Sequence, residues 1–384
     1  MSARRILLEL FDAALRAVDG RACTARCLRN AKMPAPVAVF AVGKAASSMA
    51  MGAVDELGSA IESLLVITKD GHVDPALARR AGATIFESAH PIPDDRSLSA
   101  GLELQRRLLQ LPAGVTPLFL ISGGSSSLVE WLQDGATLDE LRALNQRGLT
   151  AGWDIATLNA ERRRLSRLKG GGVARLLAGR GGMALFISDV PGDDPDVIGS
   201  GLLGTDDGRA DRIERQIVAN VELAVHAVVE AAQAHGLELA KCETRFDGDA
   251  GVVAGEMLLA LRACPVDGIV WGGESTTTLP AEHGRGGRNT HLALSFARQL
   301  RAGDPWLLLA AGTDGTDGPT EDAGAMVDAG TIGRAVLGGC DVTRAWAQFD
   351  SATALEASAD LVHTGPTGTN VGDILIGLKM RRAS

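Results

Sequence analysis

Several stretches of this sequence hold residues able to do chemistry, and glycine accompanies nearly all of them. Ser122-Gly123-Gly124-Ser125-Ser126-Ser127 lies between the apolar run Leu118–Ile121, a buried strand by its pattern, and Leu128–Leu132, which suits a helical turn. Glycine lets a backbone approach a ligand and turn its N–H groups inward. Serine at a helix start caps it and leaves amides pointing outward. Such a corner attracts an anion by about 0.3–1 kcal/mol, rising to ~2 kcal/mol when partly buried. It reads as a phosphate- or carboxylate-binding loop, against the plainer alternative of a flexible turn.

Other candidates follow further apolar runs. Gly43-Lys44 ends the strand Val37–Val42 and opens a helix over 45–57. It resembles the end of a Walker A loop, but that motif needs glycine at 38, where this chain has Ala38. His90 stands in a loop after a short strand at 84–86, and a lone histidine there is more often structural than catalytic. Lys169-Gly170-Gly171-Gly172 looks like a second anion-facing corner. Ser188–Asp196 carries four aspartates directly after the strand Met183–Ile187. Carboxylates there suit Mg²⁺, or one could orient a hydroxyl; an acidic surface turn is the alternative. Gly284–Asn289 places two arginines among glycines at a helix start, joining bidentate cations to amides. Gly199–Gly204 matches GxGxxG but is not a dinucleotide site: no adequate strand precedes it, and Thr205-Asp206-Asp207-Gly208 does not begin a helix.

The elements that must position these loops alternate. Further strands are expected at 64–68, 237–244, 268–271 and 306–311, and an apolar run at 374–378. Helices are expected at 98–111, from the Thr137–Glu140 capping box onward, and at 155–168, 218–234, 249–263 and 290–300. Alternation of this kind predicts α/β layers on a largely parallel sheet, with ligands beyond the C-terminal strand ends. The polar loops occupy those ends.

Composition bounds the rest. The 384 residues suggest two domains, or three, with the best boundary near 240: 1–240 and 241–384. The hydrophobic fraction is 46% with only 3% aromatic, so the core must be aliphatic. A net charge of −9 argues against a nucleic-acid partner but leaves room for a small anion held by local Lys and Arg. Five cysteines, with no CxxC, fit a reducing compartment without a zinc site. Cys23 and Cys27 are expected as buried thiols on one helix face. No apolar run reaches membrane-spanning length, and acidic residues interrupt the N-terminal amphipathic stretch. A cytoplasmic location is the expectation.

Taken in order, AVGKAA (41–46), AHPIPD (89–94), SGGSSSL (122–128), Asn159 with 165–171, SDVPGDD (188–194), GGESTT (272–277), GGRN (286–289), GTDGTDG (312–318) and TGPTGTNV (364–371) resemble the glycerate 2-kinase family, whose C-terminal part is called the MOFRL domain. The resemblance covers most of the chain. It implies a Rossmann-like α/β/α sandwich plus a smaller α/β domain, with an active site in the cleft between them. The implied reaction moves the γ-phosphoryl group of ATP, with Mg²⁺, to the 2-hydroxyl of D-glycerate. Two departures are Thr290-His291, where the family commonly has an acidic residue, and Ala281-Glu282-His283, which replaces basic residues.

Phosphoryl transfer needs positioning and charge neutralisation rather than a protein nucleophile. Lys44 and Arg288 are the candidate cations, and Asp189 the candidate to orient or deprotonate the attacking hydroxyl. Ser122, Gly123, Gly124, Ser125, Ser126, Lys169, Glu274, Asn289 and Thr367 are substrate- or phosphate-binding candidates. Asp193, Asp314 and Asp317 are candidate Mg²⁺ ligands. Expected partners are D-glycerate and a nucleotide, without membrane; a homodimer is compatible with the sequence. The runner-up is an NAD(P)H-dependent hydroxypyruvate reductase, which the rejected GxGxxG disfavours. A serine hydrolase is weaker, because the serine loop lacks the last glycine of GxSxG. A metabolite sensor without turnover is the third class.

Overall fold

A computed structural model describes residues 2–80, 82–151, 153, 155–204, 212–280 and 282–380. The chain forms two compact units. One comprises Val18–Asn220 with Gly368–Val371; the other comprises Met1–Ala17, Val221–Thr367 and Gly372–Ser384.

The first unit holds β1 (Val37–Val42), β2 (Ile61–Lys69), β3 (Ala83–Ser88), β4 (Thr116–Ile121), β5 (Gly182–Ile187) and β6 (Ile213–Ala219), in the order β3-β2-β1-β4-β5-β6. Every pairing is parallel. All six residues of β1 are buried, as a central strand covered by helices on both faces requires. Phe40 of β1 stacks on Phe119 of β4 at 5.3 Å between ring centroids, and mostly aliphatic side chains with Phe186 complete this core. The order reverses between β1 and β4. At such a switch point the following loops diverge and leave a crevice beyond the strand ends.

The second unit holds β7 (Leu239–Lys241), β8 (Gly268–Gly273), β9 (Trp306–Gly312), β10 (Gly324–Asp328), β11 (Leu361–Val362) and β12 (Asp373–Lys379), in the order β11-β10-β9-β12-β8-β7. This sheet is mixed, not parallel. β12 runs antiparallel to both β8 and β9, so those two strands point the same way. The helices Ala250–Ala263 and Arg288–Gln299 supply much of its core.

The α/β class therefore holds, with a parallel sheet in one unit and a mixed sheet in the other. Several local expectations change. The helix expected from 218 begins at Val221, and the preceding residues form β6. In its Ile213-Glu214-Arg215-Gln216 start three of four residues are polar, because β6 is an edge strand whose side chains are mostly half-buried or exposed. The helical turn expected after Leu128 lies earlier, at Ser125–Leu128, and Val129 is already extended. The Thr137 capping box is present: Glu140 N–H donates to Thr137 Oγ1 at 3.2 Å, and Thr137 N–H to Glu140 Oε2 at 2.8 Å. Cys23 is buried and Cys27 half-buried, and none of the five cysteines is in a disulfide. Among the described residues no helix is long and apolar enough to cross a membrane.

Candidate active-site residues

In the parallel-sheet unit, hydrogen bonds sew together the turns leaving β1 and β4. Ser122 N–H donates to Val42 O at 3.0 Å, and Lys44 N–H donates to Gly123 O at 3.0 Å. The buried Ser122 Oγ accepts from Ala45 N–H at 3.0 Å. Ser122 is thus a fastener between two loops. Gly43 has φ 129°, and a Cβ there would come within 2.8 Å of the Ser122 carbonyl carbon, so only glycine fits. Gly124 has φ 82°, and its α-carbon faces both Lys44 and His90. A Cβ there would lie 3.1 Å from Lys44 Cγ and from His90 Cδ2. His90, absent from the candidate list, therefore lines this corner with Lys44. Its place just after a strand end was the available signal.

The neighbouring Gly123 faces Asp189, which follows β5, and Asn370. Asn370 Nδ2 donates to Asp189 Oδ2 at 2.8 Å and so fixes the carboxylate. Consecutive glycines are flanked, one by Asp189 and the other by Lys44. Asn370 was also missed as a site residue, because its partner lies 181 positions away.

The other aspartates after β5 divide. Asp194 accepts from Asp196 N–H at 2.8 Å, and Asp196 pairs with Arg215 at 2.6 Å, so both shape the turn. Asp193 accepts from Asn220 Nδ2 at 2.6 Å through Oδ2, while its buried Oδ1 has no hydrogen-bond partner. That orphan oxygen suits a cation ligand.

Lys169 is a correction. It is fully buried and ion-paired with Glu130, which also accepts from Ser166 Oγ. Burial pulls the Lys169 ammonium below its ordinary range, and the Glu130 carboxylate works against that shift. A lysine so enclosed braces the fold and does not meet a phosphate. The Gly199–Gly204 stretch lies around a short 3₁₀ turn, Ile198–Ser200, with no strand leading into it. Thr205–Gly208 falls outside the described residues. Ser126 Oγ lies 2.8 Å from Ser200 Oγ, which donates to Asn159 Oδ1 at 2.8 Å. Ser125 Oγ is buried without a partner.

In the mixed-sheet unit, β12 begins at Asp373, paired in register with Gly273, the last residue of β8, and Gly312, the last of β9. Inversion of β12 thus brings its first residue to the sheet end where β8 and β9 finish. Arg288 donates to Asp373 there, Nε to Oδ2 at 2.6 Å and Nη2 to Oδ1 at 3.1 Å, and Nη1 donates to Glu274. These carboxylates raise the guanidinium pKa against the effect of burial, so Arg288 stays charged. Glu274 accordingly holds Arg288. Asp373 was missed, because a strand's first residue is not where ligand loops are sought.

Asp317 is corrected as a metal ligand. Its two oxygens accept from Asn289 N–H at 2.9 Å and Thr290 N–H at 2.8 Å, capping the helix Arg288–Gln299. Burial pushes its pKa up to about 6, with the amide bonds working in the opposite direction. The protein's own carboxylate therefore sits where an anion was expected. Asn289 Oδ1 remains buried without a partner. Asp314 Oδ1 accepts from Thr316 N–H at 3.0 Å, and Thr367 Oγ1 donates to Thr313 O, tying two loops together. Of the departing segments, Thr290 Oγ1 bonds to Gly287 and His291 stacks on Phe349 at 4.2 Å. Ala281 lies outside the described residues. Among those residues no group of three or more His, Cys, Asp or Glu could hold a metal ion alone.

Comparison with known proteins agrees with the motifs. Residues 6–235 match the family described as a domain of unknown function (DUF4147), and residues 268–373 match the MOFRL family. The chain is 33% identical to the D-glycerate 2-kinase of Thermotoga maritima, over 89% of this chain and 90% of that protein. It is 35% identical to a protein of Agrobacterium vitis provisionally named a hydroxypyruvate reductase, over 97% and 94%. The crystal structure of glycerate kinase from T. maritima superposes with a TM-score of 0.82 at 31% identity, covering 98% of this chain and 99% of that one. With both halves matched in sequence and the whole matched in fold, this chain belongs to the glycerate 2-kinase family, built of a DUF4147 and a MOFRL domain.

Proposed function

We propose that the protein transfers the γ-phosphoryl group of ATP to the 2-hydroxyl of D-glycerate, giving 2-phosphoglycerate and ADP. The observation that carries this reading is the pair of glycines, Gly123 and Gly124, flanked by the Asp189 carboxylate and the Lys44 side chain at the switch point of a parallel sheet. Asp189, held by Asn370, accepts the proton of the 2-hydroxyl. The freed oxygen bonds to phosphorus while the bridging P–O bond breaks, and ADP leaves with that electron pair. Lys44 meets the charge spreading over the phosphoryl oxygens, and backbone amides of Gly123–Ser126 bind substrate anion. Arg288, oriented by Asp373 and Glu274, is the candidate cation of the mixed-sheet unit.

Mg²⁺ is commonly held by one or two carboxylates plus substrate phosphates, and it neutralises their charge when bound. Asp193, with its unsatisfied oxygen, fits that demand best; Asp314 is the second candidate. Five cysteines without a disulfide suit a reducing compartment such as the cytoplasm.

The test is ADP release from Mg·ATP with D-glycerate, with the product's phosphorus position assigned by ³¹P NMR. Turnover giving 2-phosphoglycerate is expected. Formation of 3-phosphoglycerate would overturn the assigned hydroxyl. NADH oxidation by hydroxypyruvate without ADP release would favour the reductase reading, against which stands the lack of a strand before Gly199.

A further inference from the structure

We infer that Ser200 is a positioning residue that makes the Ser126 hydroxyl a hydrogen-bond acceptor, and that this acceptor receives the non-reacting 3-hydroxyl of the hydroxy acid. The inference deepens the kinase reading and rests on it. A serine hydroxyl has one proton to donate. Ser200 donates its proton to Asn159 Oδ1 at 2.8 Å. The 2.8 Å contact between Ser200 and Ser126 must then be a donation from Ser126. With its proton turned inward, half-buried Ser126 presents only lone pairs outward. Lone pairs repel phosphoryl and carboxylate oxygens and welcome an O–H. D-Glycerate offers two O–H groups; the 2-hydroxyl gives its proton to the carboxylate, and the 3-hydroxyl remains.

The backbone supports this independently. Ser200 is buried with φ 58°, a conformation that disfavours any residue with a Cβ, and it stands between Gly199 at φ 62° and Gly201 at φ 70°. Glycine suits all three positions, yet the middle one carries a hydroxyl. Gly170 N–H donates to Ser200 O at 3.1 Å and Gly171 N–H to Gly201 O at 2.7 Å, so the segment is firmly seated. The glycine-rich stretch that is no dinucleotide site thus buttresses the serine loop.

The experiment compares kcat/KM for D-glycerate with the Ki of D-lactate, which keeps the carboxylate and 2-hydroxyl but lacks the 3-hydroxyl. Ser126→Ala and Ser200→Ala should each lower kcat/KM for D-glycerate about three- to tenfold, the worth of one neutral hydrogen bond. The Ki of D-lactate and the KM of ATP should stay within about twofold, as for a contact neither ligand makes. Ser200→Gly removes the same hydroxyl while suiting the positive φ, so it should show the same kinetic loss with a smaller loss of Tm than Ser200→Ala. The double variant should be no worse than either single one. Weakening of D-glycerate and D-lactate alike, or additive losses, would overturn the inference while wild-type turnover stood. A wild-type chain that releases no ADP with D-glycerate would overturn the kinase reading and this inference together.

Discussion

The two sheets solve one problem by different routes. In the parallel sheet every strand points the same way, so each loop at the working end leaves a strand's C-terminus: Lys44 after β1, Ser122–Ser126 after β4, Asp189 after β5. In the mixed sheet β12 is inverted between β8 and β9, and its first residue, Asp373, arrives where theirs end. A rule that looks only beyond strand C-termini finds the first set and misses the second. The two units also treat cations differently. Lys169 is sealed against Glu130 in the interior, whereas Arg288 is held by Asp373 and Glu274 with its side chain 34% exposed.

That contrast can be broken by substitution, the largest effect coming from the sealed pair. Lys169→Met leaves Glu130 buried and uncompensated, and should cost about 3–5 kcal/mol of stability by urea unfolding. A loss below about 1 kcal/mol would mean that the pair is not enclosed in solution. Lys44→Ala and Asp189→Asn should each lower kcat by at least ~10²-fold with little change in the urea midpoint. Arg288→Ala should approach the same loss. Wild-type turnover in all three would refute their roles.

Asp373→Asn sharpens the comparison further. It keeps the shape beside Arg288 but removes the charge, and should lower kcat about tenfold. An effect equal to that of Arg288→Ala would give Asp373 a direct part in the chemistry.

The smallest expected effect is a pH slope. Burial holds the His291 pKa down to about 4, against the ordinary 6.5. The unfolded chain therefore takes up this proton first as pH falls. The stabilising contribution of neutral His291 is complete above about 6.5 and is lost as pH falls toward about 4. Asp317 opposes it: with its folded pKa raised to about 6, its contribution is greatest at low pH and declines as pH rises to that value. His291→Gln should leave the Asp317 slope, so its urea midpoint falls less than the wild type's between pH 7 and 5. Parallel curves would show that His291 is not shielded.

Local chemistry was enough for much of this molecule. Continuous apolar runs such as Val37–Val42 and Leu118–Ile121 read as strands buried on both faces, and the Gly/Ser clusters behind them as the corners where the chain leaves the sheet. The Thr137–Glu140 cap and the family resemblance were equally legible, because they depend on residue order over short spans. Tertiary structure alone decided strand order, the inversion of β12, and the fate of each charge. Lys169 meets Glu130 across 39 residues, Asp317 caps a helix start 27 residues back, and Asn370 reaches Asp189 across 181. What a charged side chain does depends on its dielectric surroundings and its partners, and both are set by long-range packing rather than by neighbours in the chain.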